Sequence, residues 1–263
     1  MSPFHSLNYR ALTTLADALE THRLCFPLLA LDSFIPASHN DVIIGELSAL
    51  YESGMRVEQI VYLLRLLAEE KYATEKASEQ IDLVWTGQHL ASLKSRATSI
   101  VIQELFSLAQ DYIFICSYAL DRGEKGENIF RELAIRMDNI PTLNVVLFLN
   151  LNRSLNDARA ESILIQEFAQ TFRKIWRGKR WPTIFFDPRS LSTKKDSRAC
   201  LHAKCIVIDD QQLFVTSANF TEAAQERNLE LGILLKNSVK AKTLRSQLES
   251  LIADNVLRKL VLE

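Results

Sequence analysis

Several features are missing from this 263-residue chain, and each absence narrows what it can be. No apolar stretch reaches the roughly 18 to 20 residues that a membrane span requires. Residues Met1 to Glu20 lack the basic start and apolar core of a secretory signal, so a cytoplasmic location is expected. Only four cysteines occur, Cys25, Cys116, Cys200 and Cys205, with no C-x-x-C pair. Reduced, buried thiols are therefore expected in place of disulfides or a zinc site. Charge of one sign is not in excess either: 31 Lys and Arg stand against 32 Asp and Glu, a net charge of −1 that says nothing by itself about partners. The chain shows no internal repeat and no low-complexity segment.

What is present is a hydrophobic content of 48%, enough to bury a full core in one large domain or one domain with an appendage. Residues 1–82 read as an all-helical N-terminal part. Leu7, Leu12, Leu15 and Leu19 recur at helical spacing, Asn40-Asp41 offers a cap for a helix from Val42 to Glu52, and another helix follows Ser53-Gly54 over Val57 to Leu67. Thr74 is placed to begin a further short helix. From Ile81 the texture changes, and residues 83–263 read as an α/β domain. Strand-like runs at 83–85, 112–116, 144–149 and 183–186 alternate with helical patterns near 97–110, 128–138 and 158–177. Further strands are predicted at 203–208, 213–216 and 229–235, then a closing helix from about Ser238 to Asp254.

One stretch between residues 201 and 232 carries a cluster of polar groups between apolar runs. His202 and Lys204 are two residues apart and share a face if the chain is extended, as do Ser217 and Asn219. A turn over Asp209 to Gln212 folds the two segments into an antiparallel hairpin and gathers all four groups at one end of a sheet. The spacing His202-x-Lys204, Asp209, then Thr216-Ser217-x-Asn219, resembles the HKD signature of the phospholipase D superfamily, with Thr216 where the family usually has glycine. Glu230 falls where superfamily members carry the acid that orients the histidine. Leu83 to Gly87, Ser117-Tyr118-Ala119, Phe186 to Arg189 and Thr216 to Ala224 together resemble the phospholipase-D-like component of DISARM anti-phage systems, which also has a helical N-terminal part. The resemblance implies an α/β fold with a mixed β-sheet flanked by helices.

The residue types fit attack on a phosphodiester, which needs a nucleophile, charge stabilisation and an acid for the leaving group. Neutral His202 is the expected nucleophile, forming a phosphohistidine, with Glu230 fixing its tautomer. Lys204, Asn219 and Ser217 are expected to cradle the non-bridging oxygens, so neither a metal nor a cofactor is implied. Asp209 reads as a turn-holding residue. No second H-x-K occurs, and the resemblance then implies a homodimer sharing one active site.

A basic run before the cluster, with Arg173, Lys174, Arg177, Lys179, Arg180, Lys194, Lys195 and Arg198 as candidate nucleic-acid contacts, suits a phosphate-bearing polymer. Trp176 and Trp181 read as packing a helix end, with stacking on bases the alternative, and Arg96 reads as a solvated helix residue, with a place in the phosphate channel the alternative. The expected function is a metal-independent nuclease in an anti-phage defence setting, with DNA the expected polymer and other subunits of such a system as further partners. A non-catalytic nucleic-acid-binding or scaffold subunit and a phospholipid hydrolase or transferase remain open as alternatives. No membrane partner is expected.

Overall fold

The computed structural model describes residues 2–87 and 95–262, which form two compact units, Met1–Glu79 and Gln80–Glu263. The first is helical. Asn8 caps α1 (Tyr9–Glu20) by accepting from the Ala11 amide at 2.9 Å, and the helix buries Leu12, Leu15 and Leu19 in one cluster with Ile60, Val61 and Leu64 of α3 (Val57–Ser78). Between them, α2 (Asn40–Glu52) adds Ile43 and Leu47 to that core. Thr74 does not begin a new helix. Residues 68–78 contain neither glycine nor proline, so α3 runs on, and the Thr74 hydroxyl donates to the Glu70 carbonyl at 2.9 Å within it.

The second unit is a mixed sheet flanked by helices. Among the described residues its nine strands lie in the order β2-β1-β8-β7-β6-β3-β4-β5-β9. They are β1 (Ile81–Thr86), β2 (Arg96–Ala97), β3 (Tyr112–Ser117), β4 (Asn144–Leu149), β5 (Thr183–Phe186), β6 (Cys205–Ile208), β7 (Gln212–Thr216), β8 (Glu230–Leu235) and β9 (Arg258–Leu260). β3, β4 and β5 are parallel neighbours, whereas β6, β7 and β8 run antiparallel to one another and wedge between β3 and β1. The central strands are buried on both faces, which is why they read as continuous apolar runs.

Three helices, α4 (Thr98–Leu108), α5 (Gly123–Asn139) and α6 (Glu161–Ile175), contribute Val101, Phe106, Phe130, Leu133 and Phe172 to the larger core. The other face holds Phe114, Cys116, Phe148, Cys205 and Val207 with Ala241 and Leu248 of α7 (Ser238–Ala253). Helix α5 begins at Gly123, five residues before the sequence pattern indicates, because its first turn, Gly-Glu-Lys-Gly, has no apolar periodicity to reveal it. The short strands β2 and β9 likewise carry no pattern of their own and are set by their neighbours β1 and β5. Of the cysteines, Cys116 and Cys205 are buried and face each other across the β3–β6 ladder, but Cys25 and Cys200 are exposed, contrary to the expectation of buried thiols.

The hairpin between β6 and β7 turns through Asp209 and Asp210, both in the left-handed region with φ of 48° and 54°. The Asp209 carboxylate then reaches across to β3 and accepts from three successive backbone amides, those of Gln110 (2.8 Å), Asp111 (3.0 Å) and Tyr112 (2.9 Å). It thus holds a neighbouring strand, more than its own turn. Charge-assisted bonds of this kind are the strong ones. Asp209→Ala is expected to lower stability by about 2 kcal/mol in chemical denaturation; an unchanged midpoint would show the clasp to be inert.

Candidate active site

The site lies at the end of the sheet where the central strands β3, β4 and β7 end and β6 begins. Antiparallel pairing puts Cys116 opposite Cys205, so the residues following β3 meet those preceding β6. β6 starts at Cys205, and the predicted strand from Ala203 is shorter than expected; a single further ladder bond, from the Thr216 amide to the Lys204 carbonyl at 3.1 Å, extends the pairing. His202 therefore stands outside the sheet and is exposed, while Lys204 is half-buried.

Lys204 Nζ approaches both ring nitrogens of His202, at 3.2 Å and 3.3 Å, and donates to the His202 carbonyl at 2.9 Å. Tyr118 packs beneath this pair, its ring centroid 4.9 Å from that of His202 and 5.7 Å from Lys204 Nζ. Burial pushes the Lys204 ammonium below the ordinary lysine range, outweighing the opposing pull of Glu230 and Cys200.

Asn219 Oδ1 accepts from the Ala119 amide at 3.2 Å, which fixes the orientation of the side chain and leaves its NH₂ to donate. The strand leaves the sheet just before it. Thr216, at the position of the expected glycine, contributes through its hydroxyl, which accepts from the Ala218 amide at 3.0 Å and donates to the Leu231 carbonyl at 3.3 Å. That bond closes the bend after β7.

Ser217 and Glu230 differ from expectation. The Ser217 hydroxyl donates to the Glu230 carboxylate and accepts from the Leu231 amide at 3.1 Å, so it is engaged in the framework and not turned to a ligand. The other Glu230 oxygen accepts from Asn228 at 3.1 Å. Glu230 thus bonds Ser217 and Asn228, whereas the His202 ring has its contacts with Lys204 and Tyr118.

Four of the eight cations in the basic run have partners elsewhere. Arg173 donates to the Leu262 carbonyl, Arg177 pairs with Glu127 at 2.9 Å, and Arg180 donates to the carbonyls of Met137, Ile140 and Leu143. The last three lead into the start of β4, the end of the sheet opposite the site, and the amides of Lys179 and Arg180 are held there by Asp138. Trp176 is buried, with its indole donating to the Arg180 carbonyl at 2.7 Å, so it is core; Trp181 is partly exposed. Arg96 pairs with Asp82 at 3.0 Å and with Glu104, which removes it from the phosphate channel. Arg198 donates to the Ser192 carbonyl at 2.7 Å. Lys174, Lys179 and Lys194 are exposed, and the Lys195 side chain lies outside the described part of the structure. Composition counts cations without saying which already have partners.

Two residues outside the expected set matter locally. Arg153 is buried and donates to the carbonyls of Leu191 (2.5 Å), Asp157 (2.8 Å) and Arg159 (2.7 Å), knitting together the loops after β4 and β5. Arg122 is exposed at the start of α5 and has no ion pair among the described residues. Among the described residues no cluster of His, Cys, Asp and Glu suited to a metal ion occurs, and no helix is long and apolar enough to cross a membrane.

Comparison with known proteins agrees with this architecture. The family model described as cardiolipin synthase, PLD-like domain, matches residues 102–252, more than half of the chain. The DISARM protein DrmC of Bacillus paralicheniformis is 26% identical over 218 residues, covering 82% of this chain and 79% of that protein. Among solved structures, the phospholipase D family member Nuc of Salmonella typhimurium is similar with a TM-score of 0.42 and 16% identity, over 68% of this chain and 96% of that one. NucT from Helicobacter pylori gives a TM-score of 0.43 at 13% identity, over 66% and 96% of the two chains.

The lowered Lys204 pKa has a pH consequence if the ammonium serves as a cation. Its charge is lost as pH rises through the depressed value, so the alkaline limb of any phosphodiesterase activity is expected below the ~10.4 of free lysine. A pH profile of kcat/KM checks this. Lys204→Arg should move that limb upward; a limb that stays in place would assign it to another group.

Proposed function

The chain belongs to the family of phospholipase-D-like domains, and from that premise we propose that it is a metal-independent phosphodiesterase acting on nucleic acid, with DNA the expected polymer. The observation that carries this reading is the Lys204–His202 pair at the end of the sheet, packed on Tyr118, with Asn219 held by the amide of the next residue, Ala119. The resemblance to a DISARM protein supports a place in an anti-phage system and other subunits of that system as partners.

In this reading a His202 ring nitrogen attacks phosphorus and the P–O bond to the leaving oxygen breaks, with the electron pair leaving on that oxygen. Lys204 Nζ and the Asn219 NH₂ donate to the non-bridging oxygens, where negative charge builds. A proton must reach the leaving oxygen, and with one H-x-K per chain the acid is His202 of a second copy. Water then attacks the phosphohistidine, the P–N bond breaks, and the second imidazole takes the water's proton. Ser217 and Glu230 act as positioning residues, Ser217 by tying Glu230 to Leu231 and Glu230 by favouring the charged form of Lys204.

An exposed apolar surface supports the second copy. On the same face of the sheet as α7, but left uncovered by that helix, Leu83 of β1, Leu231 and Ile233 of β8 and Val215 of β7 are all exposed and adjacent in register. The surface runs up to the site, since Leu231 follows Glu230 and Val215 precedes Ser217 by two residues. Exposed apolar patches of this kind mark association surfaces. Ile233→Asp is expected to convert a dimer into a folded monomer in light scattering and to reduce cleavage at least about tenfold. A wild-type monomer that cleaves at full rate would overturn the shared-site mechanism.

The polymer itself is tested by incubating labelled single- and double-stranded DNA and RNA with the protein in excess EDTA. Cleavage is expected to persist under chelation and to fall at least about a thousandfold in His202→Ala. Cleavage confined to phospholipid vesicles would favour a lipid enzyme. Binding of DNA by a folded dimer that cuts nothing would favour a scaffold subunit.

A further inference from the structure

Ser117-Tyr118-Ala119, a tripeptide conspicuous in the sequence, takes no part in the chemistry proposed for His202 and Lys204. Ser117 is the last residue of β3, and the chain leaves the sheet there beside the point where it also leaves β7. A series of hydrogen bonds joins the two exits. The buried Ser117 hydroxyl donates to the Ala119 carbonyl at 2.7 Å and accepts from the Phe220 amide at 3.1 Å. Beyond it the Ala119 amide donates to Asn219 Oδ1 at 3.2 Å, Leu120 bridges to Phe220 in parallel, and the Asp121 amide donates to the Phe220 carbonyl at 3.3 Å. The Asp121 carboxylate ends the series by accepting from the Glu222 amide at 2.6 Å.

This bracket fixes the place of Tyr118. The residues on either side of it are both bonded to the β7 exit, Ser117 through its hydroxyl and Ala119 through its amide, so the ring is carried on backbone tied at both ends. The half-buried ring meets the two reactive groups at once. Its centroid is 4.9 Å from that of His202, with the planes inclined at 56°, and 5.7 Å from Lys204 Nζ. Both separations fall where an aromatic ring attracts a second ring or a cation. The titratable groups acting on Lys204 are His202 and Cys200 from its own segment, Glu230 from β8 and Tyr118 from the end of β3. A carboxylate holds an ammonium by pairing with its charge, which then competes with a phosphate. A ring face holds it without a formal charge of its own, so the cation stays available to an anion.

We infer that Tyr118 is a positioning residue for phosphodiester attack: its ring is a platform that orients the His202 imidazole and supports the Lys204 ammonium, and Ser117 holds that platform in place. The inference rests on the assignment of His202 and Lys204 to phosphoryl chemistry, and it adds a group that acts only through them. A sign follows for the titration. Burial draws the Lys204 ammonium below its ordinary range, and a ring face opposes burial by favouring the charged form. An aliphatic side chain in place of the ring keeps the burial and removes the support, so Lys204 should lose its proton at a still lower pH.

The first measurement needs no substrate. Lys204 is titrated by NMR through its side-chain Cε resonance in the full chain and in the variants Tyr118→Phe, Tyr118→Leu and Ser117→Ala, each checked for folding by circular dichroism. Tyr118→Leu is expected to titrate about half a pH unit below the unsubstituted protein, while Tyr118→Phe, which keeps the ring, should match it. Ser117→Ala should move the titration in the same direction, and adding it to Tyr118→Leu should give no further movement, because the bracket acts through the ring. The second measurement is cleavage of labelled oligonucleotides. Tyr118→Leu should lower kcat about tenfold, change KM less than about threefold and shift the alkaline limb to lower pH, and Tyr118→Phe should restore all three. A Lys204 titration unmoved in Tyr118→Leu, or moved equally in Tyr118→Phe, would overturn the platform and leave the nuclease reading standing. Additive shifts would overturn the part given to Ser117. The expected titrations in a protein that cleaves no oligonucleotide would sink the nuclease reading and leave the platform in place.

Discussion

Register between β3 and β6 governs the site, because it decides which residues emerge opposite one another at the end of the sheet. With Ile113 opposite Ile208 and Cys116 opposite Cys205, the chain after β3 delivers Tyr118 and Ala119 to the place where His202 and Lys204 arrive. A slip of one residue would turn every side chain of β6 to the other face. The clasp against such a slip is at the opposite end of the same strands, where Asp209 accepts from three consecutive amides of the β3 start. The site's geometry is thus fixed by a carboxylate four ladder pairs away, which takes no part in the chemistry proposed for it.

At the reactive end the polar groups divide into those that hold the framework and those left to meet a ligand. Thr216, Ser217 and Glu230 spend their hydrogen bonds on the backbone and on each other, making a braced corner where β7 and β8 part. Asn219 is pinned by one atom and free at the other, while His202 and Lys204 contact mainly each other and Tyr118. Because Lys204 is partly desolvated, its interaction with an anion is stronger than the same charge would have in open solvent. The arrangement suits a ligand that brings its own negative charge.

Much of this could be read from the amino-acid order, for identifiable reasons. Runs such as Tyr112 to Cys116 and Asn144 to Leu149 are apolar on both faces of a buried sheet, so they announce themselves as strands. His202, Lys204, Ser217 and Asn219 stand out because polar groups at period-two spacing beside apolar runs need a reason. What escaped was whatever depended on a partner distant in sequence. That Arg173 caps the carbonyl of Leu262, that Arg180 holds the approach to β4, and that Glu230 bonds Ser217 cannot be inferred from local composition.

As the proposed nucleophile, His202 bonds covalently to phosphorus during turnover. The most direct measurement is acid-free quenching of the protein during turnover of a phosphodiester, followed by mass spectrometry of the peptide spanning residues 201–204. An adduct on His202 that carries phosphorus with the retained ester portion of the substrate, joined by an acid-labile P–N bond, is the predicted result. Turnover with no adduct on that peptide under trapping conditions, or with the adduct on another residue, would exclude His202 as the nucleophile.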